Sequence, residues 1–294
     1  MDGRRNFRSN DGPEFVKSVV FAPPCQNGGV KSLYTVCEGL DRLGCCRIAS
    51  FGEPRLATWF AHECELYDDS YEPDVVVYPE IYQPVLPNSR HVCFLLGKYA
   101  TPLPHADLVV CRSDELVSWL AGQNLTVPIT TIRPSINRSV FEYDGRPKQN
   151  TISYMTRPDK HPEIAGLLRD RYGDKVVEII DRSEAEVAEM LKSSKVFVCR
   201  GNDKEGSPRP PKEALVAGCV VVGLHEDLRS AYHTDFGVKC SSLDELTEKA
   251  GEALEMPAPM QVEHDLVRDS EEEKDDWAAL LAKLQPGHPV GASG

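Results

Sequence analysis

Ser18-Val19-Val20-Phe21-Ala22, a turn through Pro23, Pro24, Asn27, Gly28 and Gly29, and the run from Lys31 to Leu43 decide how this chain folds. The first five residues read as a buried strand and the prolines and glycines as punctuation. Leu33, Val36, Cys37, Leu40 and Leu43 then recur three and four apart, which is one face of a helix. The alternation continues outward. Arg47 to Phe51, Asp74 to Tyr78, His91 to Leu96, Asp107 to Cys111 and Ile129 to Ile132 read as strands, with a helix from Glu115 to Ala121. A polar, turn-forming stretch from Glu142 to Asn150 interrupts the pattern, and it then restarts. Strands at Thr151 to Met155, Val176 to Ile180, Val196 to Cys199 and Cys219 to Val222 alternate with helices at Glu163 to Tyr172, Glu184 to Leu191 and Lys212 to Ala217, the last ended by Gly218. Strands that are continuously apolar belong to parallel sheets covered on both faces. The expectation is an α/β protein of two Rossmann-like doubly wound domains facing across a cleft, divided at residues 1–145 and 146–270.

Composition agrees with two modest globular domains. The 294 residues are 41% hydrophobic and 27% charged, which excludes a disordered or fibrous chain. No apolar run approaches the roughly 20 residues of a membrane helix, and Met1 to Phe15 carries charge with no apolar segment behind it, so a cytoplasmic protein is expected. Ten scattered cysteines without a CxxC pair fit buried free thiols better than disulfides or a zinc site, and no metal is expected. The tripeptides at Asn124 and Asn137 match the glycosylation acceptor pattern only formally, since that chemistry needs secretion. The net charge is −13, and Glu245 to Asp276 holds 12 acids against 3 bases, which reads as a solvated helix plus linker. Residues 1–148 carry 15 bases and 18 acids, so a local basic groove for a phosphate-bearing ligand stays open.

Two places carry candidate chemistry. Gly28 and Gly29, between the first strand and the first helix, offer backbone amides and a helix N-terminus to an anion; a plain structural turn is the alternative. Neither GxGxxG nor GxxxxGK[ST] occurs, which disfavours a dinucleotide or kinase-type triphosphate site. The second place is Glu205-Gly206-Ser207-Pro208-Arg209-Pro210-Pro211-Lys212-Glu213, running into Ala214-Leu215-Val216-Ala217-Gly218 and the strand after it. Prolines open a helix there, Glu205 falls in the loop before it and Glu213 in its first turns, where both can face a ligand over the helix's positive end. On spacing alone the alternative is a solvated loop residue and a surface glutamate.

This stretch resembles the E-x7-E segment of retaining glycosyltransferases of the GT-B fold, family four. The resemblance extends over about residues 18–255: the strand, Gly-Gly and helix at 19–43, Ala106 to Ser113, and Ile132 to Phe141 leading into the interdomain linker. Asp276 to Leu281 resembles the last helix, which in that fold crosses back to the first domain, giving a third segment at 271–294 with a flexible tail. The resemblance implies that Glu205 contacts the donor sugar, that Glu213 holds the nucleotide ribose, and that Arg157 and Lys160 neutralise the donor diphosphate. Glu205, Arg157 and Lys160 are then the catalytic candidates, and Gly28, Gly29, Glu213, Arg209 and Pro210 the substrate-binding ones. It implies a nucleotide diphosphate sugar as donor substrate, a hydroxyl acceptor and no cofactor or metal.

Ser207-Pro208-Arg209 stands where the family carries an aromatic residue, a glycine and an apolar residue, so Arg209 is either an added phosphate or sugar contact or a surface residue. His62, His91 and His105 are candidates for a histidine near the reacting carbon, and Glu80, after the strand ending at Tyr78, for a cleft-facing carboxylate. The competing readings are a catalytically silent module of the same fold that binds a sugar nucleotide or a partner protein, and a sugar-nucleotide epimerase, which leaves the Glu205 to Glu213 spacing unexplained. No membrane partner is required, a nucleic-acid acceptor stays open, and the acceptor, the donor's base and sugar and the oligomeric state are open.

Overall fold

The computed structural model describes residues 16–50, 54–68, 70, 72–82, 84, 86–100, 106–155, 162–200, 204, 207–225, 228, 237–257 and 267–284. Two parallel sheets organise it. The first holds β1 (Val16–Ala22), β2 (Gly44–Ser50), β3 (Glu65–Leu66), β4 (Val75–Pro79), β5 (Arg90–Leu95), β6 (Leu108–Cys111) and β7 (Ile129–Thr131), in the order β3-β2-β1-β4-β5-β6-β7. The second holds β8 (Gln149–Met155), β9 (Val176–Ile179), β10 (Ser194–Cys199), β11 (Val220–Leu224) and β12 (Val238–Cys240), in the order β12-β11-β10-β8-β9. Every strand pair is parallel. The continuous apolar runs follow from this: Val75–Pro79 and Leu108–Cys111 are buried at every residue because helices or loops cover both faces of the sheet.

The helices are α1 (Gly28–Asp41), α2 (Asp114–Ala121), α3 (Arg138–Phe141), α4 (Pro162–Tyr172), α5 (Glu184–Ser193), α6 (Pro210–Val216), α7 (Leu243–Glu255) and α8 (Ser270–Leu284). Their ends are set locally. Asn27 and Ser113 cap α1 and α2, and Ser183 and Glu186 form a capping box at α5. Gly218, at φ +78°, ends α6 in the left-handed region while Tyr143 packs where a Cβ would stand.

The acidic segment departs from the expected solvated helix plus linker. In α7, Leu246, Ala250, Ala253 and Leu254 are buried against the second sheet, because the acids occupy only the outer face of an amphipathic helix. In α8, Trp277, Leu281 and Leu284 join the first core, and Trp277 meets Phe94 edge-on with ring centroids 5.1 Å apart.

Packing passes from the first core to the second between Ile132 and Ile136, so α3 belongs with the second layer and the polar stretch at 142–150 lies beyond the crossing. The return passage lies between Val267, in the second core, and Trp277, in the first. The two passages run side by side: the Ile136 amide donates to the Arg268 carbonyl (2.9 Å) and the Ser270 amide to the Ile136 carbonyl (3.1 Å). Glu273, fully buried, accepts from the Ser135 amide (2.8 Å) and hydroxyl. All ten cysteines are free thiols. Among the described residues no helix is long and apolar enough to cross a membrane.

Candidate donor site between the two sheets

In doubly wound sheets the loops on either side of the point where strand order reverses diverge and leave a crevice at the carboxyl ends of the strands. Here those points lie between β1 and β4 and between β8 and β10, and they face each other. A cavity of about 400 Å³ opens between them, lined from one side by Pro23, Pro79 and Glu80 and from the other by Met155 and Cys199. This volume suits a small organic ligand.

From the first layer, Asn27 accepts the Val30 amide (2.9 Å), so the Gly28 and Gly29 amides form the first turn of α1 at the cavity wall. Both glycines are closely approached: a Cβ on Gly28 would lie 3.3 Å from Arg209 Cδ, and one on Gly29 3.1 Å from Leu96 Cδ1, so a larger residue at either position needs the neighbouring side chain to shift by a few tenths of an ångström. Lys31 follows two positions after Gly29. Its ammonium pairs with Glu184 and with Glu213 (3.2 Å) and lies 4.7 Å from the centre of the Phe141 ring. Burial, with the nearby Arg209 guanidinium, outweighs the Glu213 carboxylate and holds the Lys31 pKa down at about 8.

From the second layer, Pro210 and Pro211 start α6, where a missing amide hydrogen costs nothing. Arg209 just ahead of them is 3% exposed, donates to Ser32 Oγ (3.4 Å) and lies 3.5 Å from Glu213 Oε1. Of the two readings open for Arg209, the surface residue is excluded. Burial alone would push the Glu213 carboxyl up, but Lys31 and Arg209 reverse this and hold it below its ordinary value, so it is ionised and able only to accept hydrogen bonds. Lys212 is not among the lining residues but donates to one of them, Ser207 Oγ (2.7 Å); burial and the nearby Arg112 and Arg209 hold its pKa well below the ordinary value.

Gly28, Gly29, Arg209, Pro210 and Glu213 are thus gathered at one cavity. Glu205, Arg157 and Lys160 lie outside the described residues, as does His105. His62 and His91 do not line the cavity: their Nε2 atoms donate to the Ala57 (2.8 Å) and Leu86 (3.0 Å) carbonyls. Glu80 does face it, 4% exposed, accepting from the Leu96 (3.0 Å) and Gly97 (2.9 Å) amides.

Lys31 and Glu184 were not among the candidates drawn from the sequence. Lys31 is the one base in its helix and stands two positions after a glycine pair, which is a usable signal. Glu184 sits in an ordinary capping-box turn and gives none.

Burial raises the Glu80 carboxyl to about 7, against the two amides and Arg112, which favour the charged form. Because the folded value lies above the ordinary 4.5, the stability this group contributes is complete below pH 4.5 and is lost as pH rises through 7. Glu80→Gln removes the titration. Its stability relative to wild type is expected to improve by on the order of 3 kcal/mol between pH 4.5 and 8. Urea unfolding at a series of pH values measures this, and a wild-type-to-variant difference that stays constant across the window would disprove the assignment.

The two facing sheets, with the terminal helix returning to the first, are the GT-B architecture. No protein-family model matches this sequence, and no curated protein does. Solved structures do match in fold. HepE of Anabaena in complex with UDP and glucose superposes with a TM-score of 0.66 at 10% identity, covering 91% of this chain and 100% of that one. A glycosyltransferase from Rickettsia africae ESF-5 gives 0.58 at 13% identity over 91% and 94%. The trehalose-6-phosphate structure from E. coli bound with UDP-2-fluoro glucose gives 0.55 at 10% identity over 92% and 96%. At these identities the likeness is one of fold.

Proposed function

We propose that the protein is a glycosyltransferase that moves a sugar from a nucleotide diphosphate sugar to a hydroxyl acceptor with retention of anomeric configuration, and that side chains rather than a metal carry the charge of the leaving group. The observation that supports this best is the cavity itself: a helix N-terminus with two glycines and Arg209 beside it, and an ionised carboxylate, Glu213, paired with Lys31, all at paired carboxyl ends of two doubly wound sheets. Anionic phosphates suit the first group and ribose hydroxyls the second. The fold neighbours include structures holding UDP with glucose and UDP-2-fluoro glucose, which points the same way.

In this reading the acceptor oxygen bonds to the anomeric carbon on the face from which the diphosphate departs. The bond from that carbon to the diphosphate oxygen breaks, and the acceptor proton passes to the departing diphosphate. The protein's part is to hold the two reactants together and to stabilise negative charge as it gathers on the leaving oxygens. Gly28, Gly29 and Arg209, with Arg157 and Lys160, take the diphosphate, Glu213 and Pro210 the nucleoside, and Glu205 the sugar. Exclusion of water between the layers protects the donor from hydrolysis.

The test begins with calorimetry of the protein against UDP, GDP, ADP and CDP. One diphosphate is expected to bind selectively. The corresponding sugar donors, incubated without acceptor, are then expected to hydrolyse slowly to the sugar of unchanged anomeric configuration, read by NMR before mutarotation. Inverted product would refute retention, an epimerised donor would favour the epimerase, and binding without turnover in the presence of an acceptor panel would favour the silent module.

A further inference from the structure

Resting on the donor-site reading above, we infer that Lys31 is a positioning residue for the nucleotide ribose: from the first layer it fixes the orientation and the charge of Glu213 in the second, so the ribose is gripped only when the two layers are closed on each other.

The geometry carries this. Lys31 belongs to α1, whereas Glu184, Glu213 and Phe141 stand on α5, α6 and α3 of the opposite layer. One ammonium therefore meets three elements across the cleft, pairing with both carboxylates and lying over the ring. All four residues are less than 9% exposed. Two carboxylates held this close beside a buried aromatic ring repel each other, and a cation between them offsets that repulsion. Arg209 reaches only Glu213 among them, at 3.5 Å. Lys31 is thus the group that bridges Glu184 and Glu213 and, with Arg209, keeps Glu213 ionised, so that both Glu213 oxygens can accept from ribose hydroxyls.

Stability is a weak reason for such a group, since a buried ion pair gains little over apolar packing. A role in joining the layers is better supported, because neighbouring bonds make the same crossing. The Glu184 amide donates to the Trp59 carbonyl (2.8 Å), Gln26 Nε2 to the Arg182 carbonyl (2.6 Å) and the Lys98 amide to the Lys204 carbonyl (2.7 Å). Glu184 is tied to the first layer by both its backbone and its side chain. Lys31 places Glu213 in that closed frame.

The experiment compares wild type, Lys31→Met and the double variant Lys31→Met with Glu184→Gln, in which loss of one cation is matched by loss of one buried carboxylate so that folding is preserved. The probes are the ribonucleoside diphosphate selected from UDP, GDP, ADP and CDP and its 2′,3′-dideoxy analogue, with circular dichroism confirming the folded state. Wild type is expected to prefer the ribonucleotide at least 10-fold. Both variants are expected to lose that preference while still binding the dideoxy analogue within about threefold of wild type. General loosening would weaken the two probes equally and leave the ratio intact, which would overturn the inference. So would a wild type that binds the nucleotide without discriminating between the two sugars. A wild type that binds none of the four diphosphates would instead remove the donor-site reading itself, and this inference with it.

Discussion

Glu213→Ala is expected to weaken nucleotide diphosphate binding at least 100-fold, to the point where thermal shift and calorimetry no longer detect it. The wild-type protein at 100 times its dissociation constant gains about 2.7 kcal/mol from the ligand, and the variant at the same concentration is expected to gain almost nothing. The cause is twofold. The ribose loses its only ionised acceptor on α6, and Arg209 loses the partner that holds its guanidinium between Ser32 and the cavity. Lys31 keeps Glu184, so the fold is expected to survive. Glu213→Gln separates the two contributions: it keeps an acceptor oxygen without the charge and is expected to fall between wild type and Glu213→Ala. Wild-type affinity in Glu213→Ala, with the protein shown to be folded, would place the ribose elsewhere.

Trp277→Ala is expected to cost about 3–5 kcal/mol of stability, the range for emptying a buried aromatic site. Trp277 is 1% exposed and closes the first core from outside by meeting Phe94 on β5. Its helix lies so close to α1 that a Cβ on Gly39 would come within 2.8 Å of the Lys274 carbonyl oxygen. Backbones in such contact leave no room for neighbours to move inward, so the cavity stays. Trp277→Phe retains most of the volume and removes an indole N–H that has no hydrogen-bond partner among the described residues, and is expected to cost less than half as much. Urea midpoints of the three proteins, at matched slopes, measure the difference. A loss under 1 kcal/mol for Trp277→Ala would mean that α8 does not hold the first core together.

Much of this fold could be read from the chain because parallel strands buried on both faces announce themselves as unbroken apolar runs. Val75 to Tyr78 and Val196 to Cys199 need no partner to be recognised. The two-residue β3 is too short to carry a pattern, and β12, Val-Lys-Cys, has a polar residue at its centre. The buried face of α7 was obscured by the density of acids around it, since composition over a window reports the outer face as readily as the inner. At the candidate site, Gly28, Gly29, Arg209 and Glu213 stood in motifs with recognisable spacing. Lys31 and Glu184 are 153 positions apart in the chain and meet only because two separate sheets face each other. No local pattern encodes such a pair.

The adjacent passages of the chain at Ile136 and Asp269 have a mechanical consequence. Two polypeptide connections that ran apart would resist both bending and twisting of one layer against the other. Bonded side by side, with Ser135 anchored to Glu273, they act as a single hinge line. The layers are expected to keep one easy degree of freedom, a swing about that line, with sliding or shear suppressed. Every cross-cleft bond described above is therefore made or broken in one stroke, and sequence changes near Ile136 would retune how far the jaws part without touching a residue that meets the ligand.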